Sequence, residues 1–553
     1  MKRFLWLGFV LFLYLICTGC GDTFRPIIIP NPPTFPNPAA AHTVVSINDN
    51  GTVVRGSAMV IDVSGDSEMS VASVGLAPVH AVQQTASQVL VVNHSVSGPL
   101  NTGDSITKLN FSSTVISSTT TISLPANSGP TFVAVAPTDT LAYVTLPSYV
   151  PDPVKFPDVV VPSVGVVNTL SNNLFAPPTP VGKNPVAIAV TPDKSKLYVA
   201  NQDDGAISAF NTNAGNLSSR AITGSLTYPP IWLVARNDSQ RVYVLEQTSG
   251  TLASIDTTST AGPDFLTEST ISVPGATTMT YDPNLNRLYI PGGPEMEIVD
   301  VSQSPPQLIK TIPIPPFALL PVGSSAAATA TAAAALPDGS RAYVASYAVL
   351  SSQFNISSVS GDGTTATYAY SLTAGHDLTP GVTITVTGTD TSTVSGFDGT
   401  FIVGAIVSGT TACPGTCFQA PNATKGTWPP PPGTSGPASG TGSNVFPQVT
   451  VVWATSNTIK TTVGIPGFPD ATILGSPYYV SACATTSFRF MMAAGGDSSR
   501  AYLSSCDGGN VNIIDTSNDT YIENLPAPIG SRTPIPPSPQ NPPQNPVFLI
   551  AGP

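Results

Sequence analysis

The sequence predicts an all-β fold, a β-propeller whose ring is closed by strands from the two ends of the chain. Three observations predict it. Turn formers and β-branched residues dominate: of 553 residues, 57 are Pro and 46 Gly, 41% are hydrophobic and only 9% are charged. A short apolar strand carrying a Tyr recurs along the chain. One repeat lacks its first strand at the N-terminal end, and a matching strand stands alone at the C-terminal end.

The charged share lies far below the usual roughly 25%. A disordered chain would combine low hydrophobicity with high net charge, so this one folds. The chain is too long for one ordinary core, a limit that repeat folds escape because each unit packs only on its neighbours. Ser, Thr, Val, Gly and Pro suit short strands joined by tight turns and disfavour long helices. A net charge of −12 with only 20 Lys and Arg leaves no footprint for nucleic acid.

The clearest repeat begins with Asn184-Pro185-Val186-Ala187-Ile188-Ala189-Val190. A Thr191-Pro192-Asp193 turn, Leu197-Tyr198-Val199-Ala200-Asn201, Ala206 to Asn211, and a last strand near Ala221-Ile222 complete a four-stranded meander. The Tyr strand returns around Tyr143, Tyr243, Tyr289, Tyr343 and Tyr502. From Tyr143 to Tyr343 the intervals are 55, 45, 46 and 54 residues, close to one propeller blade of roughly 40–50. These Tyr residues are expected to pack between blades. Third strands end on Asp62, Asp256, Asp300 and Asp515, one per unit, and these Asp are expected to cap turns rather than to bind calcium.

Residues 42–75 read as second, third and fourth strands without a first. Asn545-Pro546-Val547-Phe548-Leu549-Ile550-Ala551 parallels Asn184 to Val190 and would supply it, which leaves no unpaired edge in the ring. With that composite unit the count is eight, and seven stays open. Tyr343 and Tyr502 lie 159 residues apart, more than two blades need, and the surplus falls at 353–445. The organisation expected is a first propeller part at 42–352, an inserted β module with a Pro/Gly-rich linker at 353–445, and a second propeller part with the closing strand at 446–553.

Lys2 and Arg3 precede an apolar run from Phe4 to Ile16, which reads as a secretory signal peptide over residues 1–19. Thr18-Gly19-Cys20 resembles a bacterial lipobox, with Cys17 where Leu is usual; a plain signal peptide or an uncleaved anchor is the other reading. The resemblance implies a lipid on Cys20, membrane anchoring, and a location in the periplasm or on the cell surface. Residues 20–41 then form a Pro-rich spacer. Export implies an oxidising compartment, so the remaining cysteines are expected to pair, Cys413 with Cys417 and Cys483 with Cys506.

Pro-Val-Ala-Ile-Ala-Val, Thr-Pro-Asp and Leu-Tyr-Val-Ala-Asn over 183–215 resemble the YVTN-type propeller repeat of bacterial and archaeal surface proteins, with weaker likenesses at 276–301 and 487–516. The segment Gly396-Phe397-Asp398-Gly399-Thr400-Phe401 resembles an element of small β modules in secreted bacterial proteins. The chain holds four His (His42, His80, His94 and His376), no nucleophile elbow and no phosphate-binding or dinucleotide loop. His80 begins an inner strand and could face the central channel, and His94 follows a second strand in a loop; each is expected to be structural or solvated. The reading is therefore a binding or scaffolding propeller for a protein or glycan, with no catalytic, metal or cofactor residues assigned. The alternative is a propeller enzyme, such as a lactonase or a quinoprotein-like dehydrogenase.

Overall fold

The computed structural model describes residues 43–51, 54–94, 103–156, 158–390, 395–410, 413–428, 438–469, 483, 488–530 and 543–552. The expected signal peptide at 1–19, Cys20, the Pro-rich stretch to residue 41 and His42 lie outside them. Among the described residues the regular structure is almost all strand, with one three-residue 3-10 turn at Asn213–Gly215.

The strands pair into eight sheets, seven of four or five strands and one curled sheet of eleven. Numbered round the ring, their first strands are Asn545–Ala551, Pro78–Thr85, Val133–Val135, Pro185–Val190, Pro230–Ala235, Thr280–Asp282, Thr329–Ala335 and Phe490–Ala494. Most successive first strands touch one another. Sheets 5 and 6 meet through Tyr243, Leu245, Leu288 and Ile290. The eight repeat units counted in the sequence correspond to these eight sheets, seven compact blades and the curled one.

Each sheet is covered on both faces by its neighbours. Its middle strands are therefore buried on both sides and read as unbroken apolar runs, the pattern of doubly covered sheets. Lys196–Asn201 is buried throughout, whereas the peripheral strand Ser67–Leu76 is exposed along its first half. Tyr143, Tyr198, Tyr243, Tyr289, Tyr343 and Tyr502 are all fully buried. Several reach into the next sheet. Tyr198 donates to Asp264 Oδ2 at 2.6 Å, Tyr243 to the Val301 carbonyl at 3.2 Å, and Tyr343 to Asp519. The Tyr residues are inter-blade packing, as the repeat pattern predicts.

A second link lies two residues before the Tyr, where Lys196, Arg287, Arg341 and Arg500 stand. Lys196 Nζ reaches Asp264 in sheet 5 at 2.9 Å, and Arg287 reaches Asn457 in sheet 7 at 2.8 Å. Arg341 reaches Asp519 in sheet 8 at 2.6 Å, and Arg500 reaches Asp66 in sheet 1 at 2.6 Å. Each of these cations clasps the connection between the third and fourth strands of the following sheet. Arg241 stands in the same place but pairs with Asp256 of its own sheet, and Arg236 reaches sheet 6 instead, donating to the Val301 carbonyl at 2.7 Å.

The turns after the first strands carry a left-handed residue in sheets 3 to 8: Thr138, Lys194, Ser239, Asn286, Gly339 and Ser498, with φ between 49° and 69°. Asp193, Asp238, Asp338 and Asp497, one residue earlier, accept from the backbone N–H two residues on. Such side-chain bonds hold the turns, three of which place a non-glycine residue in the left-handed region. The third-strand Asp residues behave as expected. Asp62, Asp256, Asp300 and Asp515 accept from the N–H groups of Ser64, Thr258, Ser302 and Ser517 at 2.8–3.1 Å.

Ring closure is observed directly. Asn545–Ala551 pairs antiparallel with Thr43–Asp49, from Val44 with Ala551 to Asp49 with Asn545. A bulge skips Val547, between Pro546 and Phe548, just as one skips Val186, between Pro185 and Ala187. The likeness between the two Asn-Pro segments extends to the register.

Two expectations need correction. The strand near Ala221-Ile222 does not complete sheet 4. Ser218–Arg220 does so, while Ile222–Thr223 pairs in parallel with Asp264–Ser272 of sheet 5. The chain crosses to the next blade there, and the apolar residue pairs where it lands. The insert, too, is an outgrowth of a blade rather than a module set apart. Arg341–Asp362 and Ala438–Trp453 stay paired from Arg341 with Trp453 to Ile356 with Ala438. Burial alternates without a break from Ser346 to Ser357, so nothing ends the ladder at residue 353. The added strands enclose a core of Phe354, Tyr368, Phe397, Phe418 and Trp428. Both expected disulfides are present, Cys413–Cys417 and Cys483–Cys506.

Candidate functional site

The two ends of the ring differ. At one end lie turns and connections of at most seven residues. At the other, where the first strands begin, lie the long connections 147–162 and 314–328 and the outgrowth. Binding residues concentrate on such long connections held by a rigid scaffold.

The axis at the long-connection end is filled. His80 stacks on Phe132 with ring centroids 3.8 Å apart, and Phe132 meets Trp232 edge-on at 5.4 Å. Trp232 meets Phe488 at 5.7 Å, Phe488 meets Phe548 at 4.8 Å, and Phe548 returns to His80 at 4.5 Å. This closed circuit of five rings draws on sheets from opposite sides of the axis, so it spans the channel. His80 is buried there, and the Val133 N–H points at its Nδ1 at 3.5 Å. Burial pushes its pKa down to about 3. It is a structural, neutral imidazole, as the sequence reading expects.

A buried base held neutral weakens a protein in acid. The unfolded chain takes up a proton below about 6.5, while folded His80 stays neutral down to about 3. Stability therefore falls as pH drops through that window. In His80→Phe this loss is expected to shrink, read as a smaller difference in Tm between pH 7 and pH 5. An unchanged difference shows that His80 is not the group responsible.

Several polar groups also lie at this end of the ring. Glu246 ends the second strand of sheet 5, three residues after Tyr243, and is fully buried. Its Oε2 accepts from the Tyr228 N–H at 2.6 Å, and no described group bonds its Oε1. Beside it, Glu268 accepts from the Thr227 hydroxyl at 2.8 Å and from the Thr227 N–H. Burial, reinforced by the neighbouring Glu268 carboxylate, pushes Glu246 up to about 7 despite the Tyr228 bond. Across the ring, Arg489 grips Asp507 with two bonds of 2.7 Å and lies 4.9 Å over the Tyr347 ring.

Sequence reading assigned none of these residues. Its signal for Glu246 was available: the position three after the Tyr is Asn in Tyr198-Val199-Ala200-Asn201 and Glu in Tyr243-Val244-Leu245-Glu246. His94 is half-buried, its N–H bonded to the Ala77 carbonyl at 3.1 Å, and His376 lies in the outgrowth. Among the described residues no group of three or more His, Cys, Asp or Glu could hold a metal ion.

Residues 40–281 match the family described as Lactonase, 7-bladed beta-propeller. The match covers 242 of 553 residues, less than half of the chain, and runs from sheet 1 into sheet 6. No curated protein matches. Among solved structures, AztD of Citrobacter koseri is 9% identical, covering 92% of this chain and 97% of its own, with a TM-score of 0.47. The periplasmic gluconolactonase PpgL of Pseudomonas aeruginosa is 13% identical, covering 55% and 91%, with a TM-score of 0.38. A 6-phosphogluconolactonase-type structure from Bacteroides uniformis, described as putative, is 13% identical, covering 56% and 92%, with a TM-score of 0.38. At these scores the likenesses carry nothing about chemistry.

Proposed function

We propose that this chain is a lactonase-type propeller hydrolase, tethered to the cell envelope through Cys20 and acting on a small lactone at the long-connection end. The observation that carries the reading is the lactonase-family match over 40–281, a stretch that contains both Glu246 and Glu268. Lactone hydrolysis needs a group that takes a proton from water as oxygen attacks the ring carbonyl; the ester C–O bond then breaks and the ring oxygen takes up a proton. A carboxylate with a pKa near 7 suits that task at neutral pH. Backbone N–H groups of Thr227 and Tyr228 bond Glu268 and Glu246 and hold the pair in place. The YVTN-like repeats and the lipobox support the envelope location.

A second reading, a binding module without catalysis, is favoured by the aromatic circuit, which fills the channel where a substrate would otherwise descend.

The test follows hydrolysis of δ-gluconolactone by the full-length protein against the spontaneous rate. Acceleration is expected, with kcat rising through about pH 7 as Glu246 ionises, and Glu246→Gln is expected to lose at least about 100-fold. No acceleration over buffer overturns the hydrolase reading and leaves the binding module.

A further inference from the structure

A second cleft lies at the opposite end of the ring, between sheets 4 and 5, with a volume of about 740 Å³. It falls in the roughly 300–1,000 Å³ range of small-molecule sites. Its walls are the two turns Asp193–Lys196 and Asp238–Gln240 and the third-to-fourth-strand connections around Asn211–Ala214 and Thr257–Thr260. Apart from Ala214, every lining residue carries a hydroxyl, amide, carboxyl or amine. No aromatic or large aliphatic side chain lines it, so it offers nothing to an acyl chain or a flat ring.

The charges nearly balance. Lys196 is spoken for by Asp264, and Asp238 by Arg236 at 2.7 Å. That leaves the Asp193 carboxylate and the Lys194 ammonium. Burial works to raise Asp193 and Asp238, yet hydrogen bonds from Thr191 and Ser195 to the first, and from Arg236 to the second, hold both below the usual carboxylate range. The lining thus presents fixed acceptors, amide and hydroxyl donors, and little net charge.

The walls are rigid. The Asp193 N–H donates to Ser239 Oγ at 2.9 Å and ties one turn to the other. Thr257 Oγ1 donates to the Ser239 carbonyl at 2.6 Å, and Thr212 Oγ1 donates to the Lys194 carbonyl. Rigid polar walls lower the ordering cost of binding. One wall is also strained: Asn213 and Ala214 have φ of 32° and 54°, followed by Gly215 at 96°. Such a run of three left-handed residues occurs nowhere else among the described residues. Strain of this kind persists where surrounding structure enforces it, and it clusters at ligand sites.

We propose that this cleft binds a neutral, hydroxyl-rich ligand, a short saccharide, on the face away from Glu246. The site is independent of the hydrolase reading. The experiment titrates full-length protein by calorimetry with maltotriose, cellotriose and chitotriose, and with glucose 6-phosphate as an anionic probe. At least one neutral trisaccharide is expected to bind, and glucose 6-phosphate more weakly. Thr260→Trp fills the cleft from an exposed position that holds no bond in the turns. It is expected to weaken binding at least about tenfold with Tm unchanged. Asp193→Asn is expected to weaken it as well. Three results overturn the proposal: no trisaccharide binding up to about 10 mM, preference for the phosphate, or binding indifferent to Thr260→Trp. Retained δ-gluconolactone hydrolysis in Thr260→Trp separates failure here from failure of the hydrolase reading.

Discussion

Deleting residues 543–553 is expected to lower the melting temperature by about 10 °C or more, or to leave a chain that aggregates. The segment supplies the innermost strand of sheet 1, and Val547, Phe548 and Leu549 are each at most 5% exposed. Burying such side chains contributes roughly 1.5–3 kcal/mol apiece. Their sum approaches the whole stability of an ordinary domain, about 5–15 kcal/mol. The deletion also strips the partner from Thr43–Asp49 and opens the aromatic circuit at Phe548. Phe548→Ala gives a graded version, expected to cost about 3–5 kcal/mol in a denaturant melt. An unchanged melting temperature after the deletion shows that the ring does not depend on its closing strand.

Asp264→Ala is expected to destabilise the fold by about 3–5 kcal/mol, because it removes one side of a buried ionic cluster. Lys196 at 2.9 Å, Arg220 at 2.6 Å and Tyr198 at 2.6 Å all converge on that carboxylate, which is fully buried. Without it, two cations remain in the interior with no counter-charge. Asp519→Ala in sheet 8 acts in the same way on Arg341 and Lys460 of sheet 7. The two sites share no partner, so their effects are expected to add. The exposed pair Lys155–Asp152, 3.7 Å apart, is the control, where Asp152→Ala is expected to change stability by less than about 1 kcal/mol. The Asp264 cluster also has a pH signature. Burial tends to raise Asp264, but the bonds from Arg220, Tyr198 and Lys196 outweigh it and hold the carboxyl below its ordinary value. Its contribution is therefore present above the ordinary Asp range and lost as pH falls below it. Asp264→Asn is expected to flatten that acid limb, and a limb that stays as steep assigns it to other carboxylates.

Much of the ring was legible before any coordinates. The Tyr strands recur because each blade offers the next the same buried slot. The Asn-Pro segment at Asn545 announced closure because a first strand has a recognisable start. The clasp is legible too: Lys196-Leu197-Tyr198, Arg287-Leu288-Tyr289, Arg341-Ala342-Tyr343 and Arg500-Ala501-Tyr502 place a rare cation two residues before the Tyr. Its partners, Asp264, Asp519, Asp66 and Asn457, belong to the following repeat, and only folding sets them opposite.

Local pattern is written in neighbouring residues, so the sequence by itself determined the strands, the turns, the repeat length, the closing segment and the two cysteine pairs. Convergence across the ring is not written there. That Glu246 lies against Glu268, that five rings from separate blades meet on the axis, and that the turns of sheets 4 and 5 frame one polar cleft were decided only by tertiary structure. Distances between residues far apart in the chain depend on how many blades stand between them and how each is rotated. No periodicity in the sequence carries that information.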